Sequence, residues 1–109
     1  MKLYYENITE EEKISLDFPL DACVEQALEV FENLPQSDGS SFGLVDENDG
    51  VIHFEKFNKF MWLVQIPELS KHGSHQAICN LNQCKKLIKG LFNGVDPFDM
   101  IDFEFKSFL

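Results

Sequence analysis

Four side chains between positions 72 and 84 could ligate a metal: His72, His75, Cys79 and Cys84. Zinc sites draw on closely spaced Cys or His pairs set apart by a longer loop. Here the run is His-x2-His-x3-Cys-x4-Cys, which matches none of the paired patterns. Cys84 also falls on the apolar stripe of a helix argued below, where a small thiol packs as a hydrophobe. Buried cysteines and surface histidines are the expectation, with no metal and no cofactor.

Nucleophilic chemistry has the residue types but not the setting. Cys23 or Cys79, set beside His53, His72 or His75, would supply a thiol and a base. Nothing in the spacing brings such a pair together, and no Gly-rich oxyanion turn flanks a cysteine. Nineteen Asp and Glu offer so many general acid–base pairs that none is singled out. Asp46-Glu47-Asn48-Asp49-Gly50 has the acidity of a calcium loop but lacks its ligand alternation and its closing glutamate. The six glycines are scattered, so no loop is built to cradle phosphate. A protein that is not an enzyme is expected.

What stands out instead is charge. Residues 1–50 carry thirteen Asp and Glu against two Lys, and residues 51–109 carry six against seven; arginine is absent. The net charge is −10. Such a field repels nucleic-acid phosphates and anionic membrane surfaces and attracts basic proteins. Acidic surfaces also keep proteins soluble, which is the plainer use of the same charge. The carboxylates group at Glu10-Glu11-Glu12, at Glu25, Glu29 and Glu32, at Asp46, Glu47 and Asp49, and at Asp96, Asp99, Asp102 and Glu104. Unpaired like charge opposes compaction, so keeping it suggests a use, and a basic partner is the obvious one.

The elements that must hold these groups follow from periodicity. Residues 2–5 and 13–18 read as extended segments around an acidic turn at 9–12, with Ile14, Leu16 and Phe18 alternating. Residues 22–34 form a helix: Val24, Leu28 and Phe31 recur on one stripe, with Asp21 as N-cap and Pro35 as stop. Segments 42–46 and 51–57 make a hairpin across Asp49-Gly50, with Ile52 and Phe54 on one face and His53 and Glu55 on the other. The apolar run 60–66 reads as a central strand covered on both faces and ended by Pro67. A loop spans 68–74, and 75–79 is a short strand. A second helix spans 81–92, with Asn80 and Gln83 as a capping box and Gly94 beyond its end. Residues 99–106 close the chain as a strand in which Ile101, Phe103 and Phe105 alternate with polar residues. Length and order predict one α+β domain over 1–109: a mainly antiparallel sheet of about five strands with two principal helices packed on it.

From Phe42 onward the chain sets Phe42-Gly43-Leu44-Val45, Asp49-Gly50-Val51-Ile52-His53-Phe54 and Trp62-Leu63-Val64-Gln65-Ile66-Pro67 in succession. His72-Gly73-Ser74, the helix from Cys84 to Phe92, and Asp102-Phe103-Glu104-Phe105 follow. In this order of elements the chain resembles the bacterial immunity proteins of polymorphic and contact-dependent growth inhibition toxin systems. About two thirds of the chain is covered, by element order rather than by a diagnostic motif, and the extra tryptophans of some such families are missing. The resemblance implies a protein that binds and blocks a cognate toxin domain, a nuclease or a deaminase, by occluding its basic active-site cleft. The alternative is an acidic nucleic-acid mimic that inhibits a DNA-binding protein. Partner contacts are expected from Glu25, Glu29, Asp46, Glu47, Asp49, Glu55, Asp102 and Glu104. No apolar run is long enough to span a membrane, no signal segment opens the chain, and three cysteines make no disulfide framework. These features point to a cytoplasmic protein with no direct contact to nucleic acid or membrane.

Overall fold

The computed structural model describes residues 1–7, 12–34 and 39–109. Residues 9–11 of the expected turn, the Pro35 helix stop and most of the connection at 36–40 lie outside them, while Glu12 is extended. One antiparallel sheet dominates, formed by β1 (Lys2–Asn7), β2 (Glu12–Ile14), β3 (Leu20–Asp21), β4 (Ser41–Val45), β5 (Val51–Lys56), β6 (Met61–Glu68), β7 (Gly73–Asn80) and β8 (Glu104–Ser107). The order is β2-β1-β4-β5-β6-β7-β8, with β3 also paired to β1. Two helices, α1 (Val24–Glu32) and α2 (Leu81–Phe92), pack on one face and on each other.

Among the described residues the sheet therefore has eight strands rather than about five. Two of them, β2 and β3, are three and two residues long and share one side of β1. Strand β2 falls on the start of the extended segment expected over 13–18, whereas β3 takes its conformation from the strand it pairs with and no local pattern announces it. The expected strand at 13–18 stops at Ile14; a turn follows, with Phe18 N donating to Ser15 O at 3.1 Å. The third change is β7, which begins at Gly73 and runs eight residues between β6 and β8.

Other expectations shift for local reasons. Strand β6 passes through Pro67 to Glu68 instead of ending there. Its pairing with β5 stops at Gln65, so Pro67 lies where a missing N–H costs no ladder bond on that side. Strand β6 is also covered on one face only: Trp62 and Val64 are buried, whereas Met61, Leu63 and Gln65 are half-buried on the other face. Helix α1 starts after Cys23, not Asp21, and Cys23 N donates to Gln26 Oε1 at 3.0 Å. The last strand shrinks to four residues because Asp96 caps a 3-10 turn at Pro97–Asp99 and residues 100–103 turn into the core.

Helix α2 has the expected bounds. Asn80 Oδ1 accepts from Gln83 N and Gln83 Oε1 accepts from Asn80 N, both at 2.8 Å, which satisfies two orphan donors of the first turn. Gly94, at φ 79°, ends it in the left-handed region that favours glycine. Between the layers, Phe31 of α1 meets Phe42, Phe54 and Trp62 at ring-centroid distances of 5.4, 5.6 and 4.6 Å. Of the eleven Phe, only these three phenylalanines are fully buried; six are exposed, Phe18 at 81%.

Candidate partner-binding face

Because both helices sit on one face, the other face of the sheet has no helical cover among the described residues. Strand pleating alternates side chains between the faces, and the register says which ones share the open side. Tyr4, Gly43, His53, Gln65, Gln76 and Glu104 stand directly opposite one another in a file across six strands. A parallel file runs Lys13, Glu6, Ser41, Glu55, Leu63 and Ile78.

The centre of this face is uncharged and well ordered by contact. Gly43 lets the Tyr4 ring lie over its backbone: a Cβ there would fall 2.0 Å from Tyr4 Cζ. The ring reaches across to His53, stacking at 5.8 Å between centroids with an interplanar angle of 16°, and the Tyr4 hydroxyl lies 2.8 Å from His53 Nδ1. Burial pushes the Tyr4 phenol up to about 12. Burial also lowers the pKa of His53, partly opposed by the carboxylate of Glu55, so the imidazole is neutral at physiological pH.

At one end of the face lies a cavity of about 510 Å³. Its floor is Lys2, Val45 and Val51, its walls the segment from Leu16 to Asp21 and the β4–β5 hairpin. Five acidic residues line it, Asp17, Asp21, Asp46, Glu47 and Asp49, against the ammonium groups of Lys2 and Met1. The hairpin is held rigidly. Asp46 Oδ1 accepts from Asn48 N at 2.8 Å and from Gly50 N at 2.7 Å, while Asp49 takes the positive φ of 62°. That left-handed turn was expected of the Asp-Gly pair; the Asp rather than the Gly adopts it.

The expected contact residues divide accordingly. Asp46, Glu47 and Asp49 come together in the cavity, Asp46 with one oxygen committed to its own turn. Glu55 stands on the same face further along β5, and Glu104 on the far strand, where Lys106 binds it at 2.9 Å. Glu25 and Glu29 are exposed on α1, in the helical layer behind the sheet, and Asp102 is exposed just before β8. Asp17, Asp21, Tyr4 and His53 were not among the expected partner contacts. Only the strand register places them, although the alternation of His53 with Phe54 already put His53 opposite the core.

The metal-type residues do not converge. His72 is exposed in a left-handed turn, and His75 packs edge-on against Phe98 and Phe105 with Nε2 3.6 Å from Glu68 Oε1. Cys79 and Cys84 are in the core. No three His, Cys, Asp or Glu gather as ligands among the described residues. Among them also, no helix is long and apolar enough to cross a membrane. No protein-family model matches the chain, and no curated protein or solved structure is similar to it.

Proposed function

We propose that this chain is an immunity protein: it binds a cognate bacterial toxin domain of the nuclease or deaminase kind and blocks its basic active-site cleft. One observation carries the reading. Five carboxylates line a cavity at the end of a sheet face that no described helix covers. A cleft made for phosphates presents Lys and Arg, and a cluster of carboxylates can take those contacts in place of substrate. The uncharged file through Tyr4, His53, Gln65 and Gln76 supplies a rigid platform beside the cavity on which the rim of the cleft can rest. Inhibition is then steric and electrostatic and needs no catalytic group. A nucleic-acid mimic would want its carboxylates in a phosphate-like file, and the compact grouping of Asp17, Asp21, Glu47 and Asp49 favours a pocket for basic side chains instead.

Parallel affinity capture from the native host tests this. The baits are the wild-type chain, the cavity variant Asp17→Lys/Asp21→Lys/Glu47→Lys/Asp49→Lys and the helix variant Glu25→Lys/Glu29→Lys. A basic protein retained by the wild type and the helix variant, lost from the cavity variant, and toxic unless co-expressed with this chain is the expected result. A partner that stays on the cavity variant, or is harmless when expressed alone, overturns the reading.

A further inference from the structure

On the helical side of the sheet, away from the cavity, lies a pair of thiols that the binding reading does not use. Asn80 is the N-cap of α2, so Cys79 occupies the position before the cap and Cys84 the fourth helical position. These two positions meet across a helix start as a hydrophobic staple, and here both staple residues are cysteines. They are 1% and 0% exposed, and their thiols are hydrogen-bonded to each other. Across the sheet, Lys56, Trp62 and Cys79 are directly opposite one another in successive strands, and the Lys56 ammonium lies 4.6 Å over the Trp62 ring. A dithiol in contact, with a cation in its neighbourhood, has the parts of a redox pair: one thiolate to be oxidised and one thiol to resolve it.

We propose that Cys79 and Cys84 are an oxidative modification site, a dithiol that a hydroperoxide closes into an intramolecular disulfide. The Cys79 thiolate attacks the peroxide; the O–O bond breaks, an S–O bond forms, and the departing hydroxide takes the thiol proton as water. Cys84 sulfur then attacks the sulfenic sulfur of Cys79; the S–O bond breaks, the S–S bond forms, and a second water leaves with the Cys84 proton. Two thiols lose two electrons and one hydrogen peroxide becomes two waters. Cys79 stands on the stretch of β7 that β8 leaves unpaired beyond Gln76, which favours it as the first to react, and the hydrogen bond from Cys84 lowers its pKa against the effect of burial. The hydrogen bond with Cys79 and then burial raise that of Cys84, as befits the resolving thiol. Access needs only a small opening of the first turn of α2, whose residues Leu81, Asn82 and Gln83 are exposed and whose flank has no β8 partner beyond Gln76.

The test uses the full chain with Cys23→Ser, which removes the exposed third thiol and leaves a good N-cap residue. The folded protein is treated with hydrogen peroxide, denatured, alkylated and weighed intact. The expected product has lost two hydrogens and takes up no alkyl group, where the untreated protein takes up two; dithiothreitol restores both sites. In glutathione buffers the folded disulfide resists reduction by about tenfold or more relative to the urea-unfolded chain. Both thiols still alkylated after peroxide, oxygen added without loss of the two hydrogens, or equal reduction constants in the folded and unfolded chains would each overturn the proposal.

Discussion

Replacing Gly43 with alanine perturbs the open face at its centre without changing a charge. The new methyl carbon would lie 2.0 Å from Tyr4 Cζ, 2.2 Å from Cε1 and 2.3 Å from the hydroxyl oxygen. No small adjustment clears three such contacts, so the ring must leave its place over the β4 backbone. Tyr4 is 7% exposed there, and an aromatic side chain of that size gives up about 1.5–3 kcal/mol when returned to water. The hydrogen bond to His53 goes with it, worth about 0.5–1.5 kcal/mol net. Gly43→Ala should therefore cost about 2–4.5 kcal/mol, from the sum of those two ranges. Urea unfolding followed by far-ultraviolet circular dichroism reads this as a lower midpoint at unchanged slope. In a Tyr4→Ala background those three contacts are gone, and the preference of strands for alanine over glycine makes the same substitution neutral or slightly stabilising. An equal cost in both backgrounds would refute the account of Gly43 as the seat of Tyr4.

Three more expectations follow from particular contacts. Asn80→Ala removes the side-chain half of the α2 capping box and should cost about 1 kcal/mol, read as a lower thermal midpoint. Phe31→Ala empties the junction of Phe42, Phe54 and Trp62 and should cost about 3–5 kcal/mol in the same urea assay. For pH, the folded pKa of His53 lies below its ordinary 6.5, so below that pH the unfolded chain binds more protons and stability falls as pH drops. Tyr4 acts at the other end: the unfolded phenol ionises near 10 and the folded one near 12, so stability falls as pH rises between them. His53→Gln should remove the acid-side loss and Tyr4→Phe the alkaline one; unfolding curves across pH that keep both losses in both variants would contradict these assignments.

How far the fold was legible depends on whether the signal was local. Helix α2 was, because Asn80, Gln83 and Gly94 mark both ends and the apolar stripe between them has helical period. The β4–β5 hairpin was, because Asp46 and Asp49 carry their own turn chemistry. Strand β3 was not, since two residues hold no period and their conformation comes from β1, and of the extended segment expected over 13–18 only the start belongs to β2. The alternating Ile101, Phe103 and Phe105 read as one strand, yet the apolar residues at 101 and 103 serve the core from an irregular segment. Acidity was visible in composition, but the cavity joins residues 17 and 21 to residues 46–49. Only the neighbours that β1 takes, β3 on one side and β4 on the other, create that meeting.

The same geometry separates two roles for acidic residues that composition treats alike. Glu32 and Glu104 are paired with Lys85 and Lys106, and exposed pairs of this kind add little to stability or to recognition. Asp17, Asp21, Glu47 and Asp49 line a shared cavity in which acidic residues outnumber the ammonium groups of Met1 and Lys2. Their repulsion is relieved when a cationic side chain enters, and this is the energetic basis of the binding reading.

The most direct measurement is the association rate of the captured partner as a function of salt, by stopped flow, for the wild type and for Asp17→Lys/Asp49→Lys. Electrostatic capture predicts a wild-type rate that falls steeply as ionic strength rises, and a variant about 10–100-fold slower at low salt with a nearly flat dependence. The two curves should converge at high salt. Identical salt slopes for the two proteins would contradict the claim that the acidic cavity meets the partner.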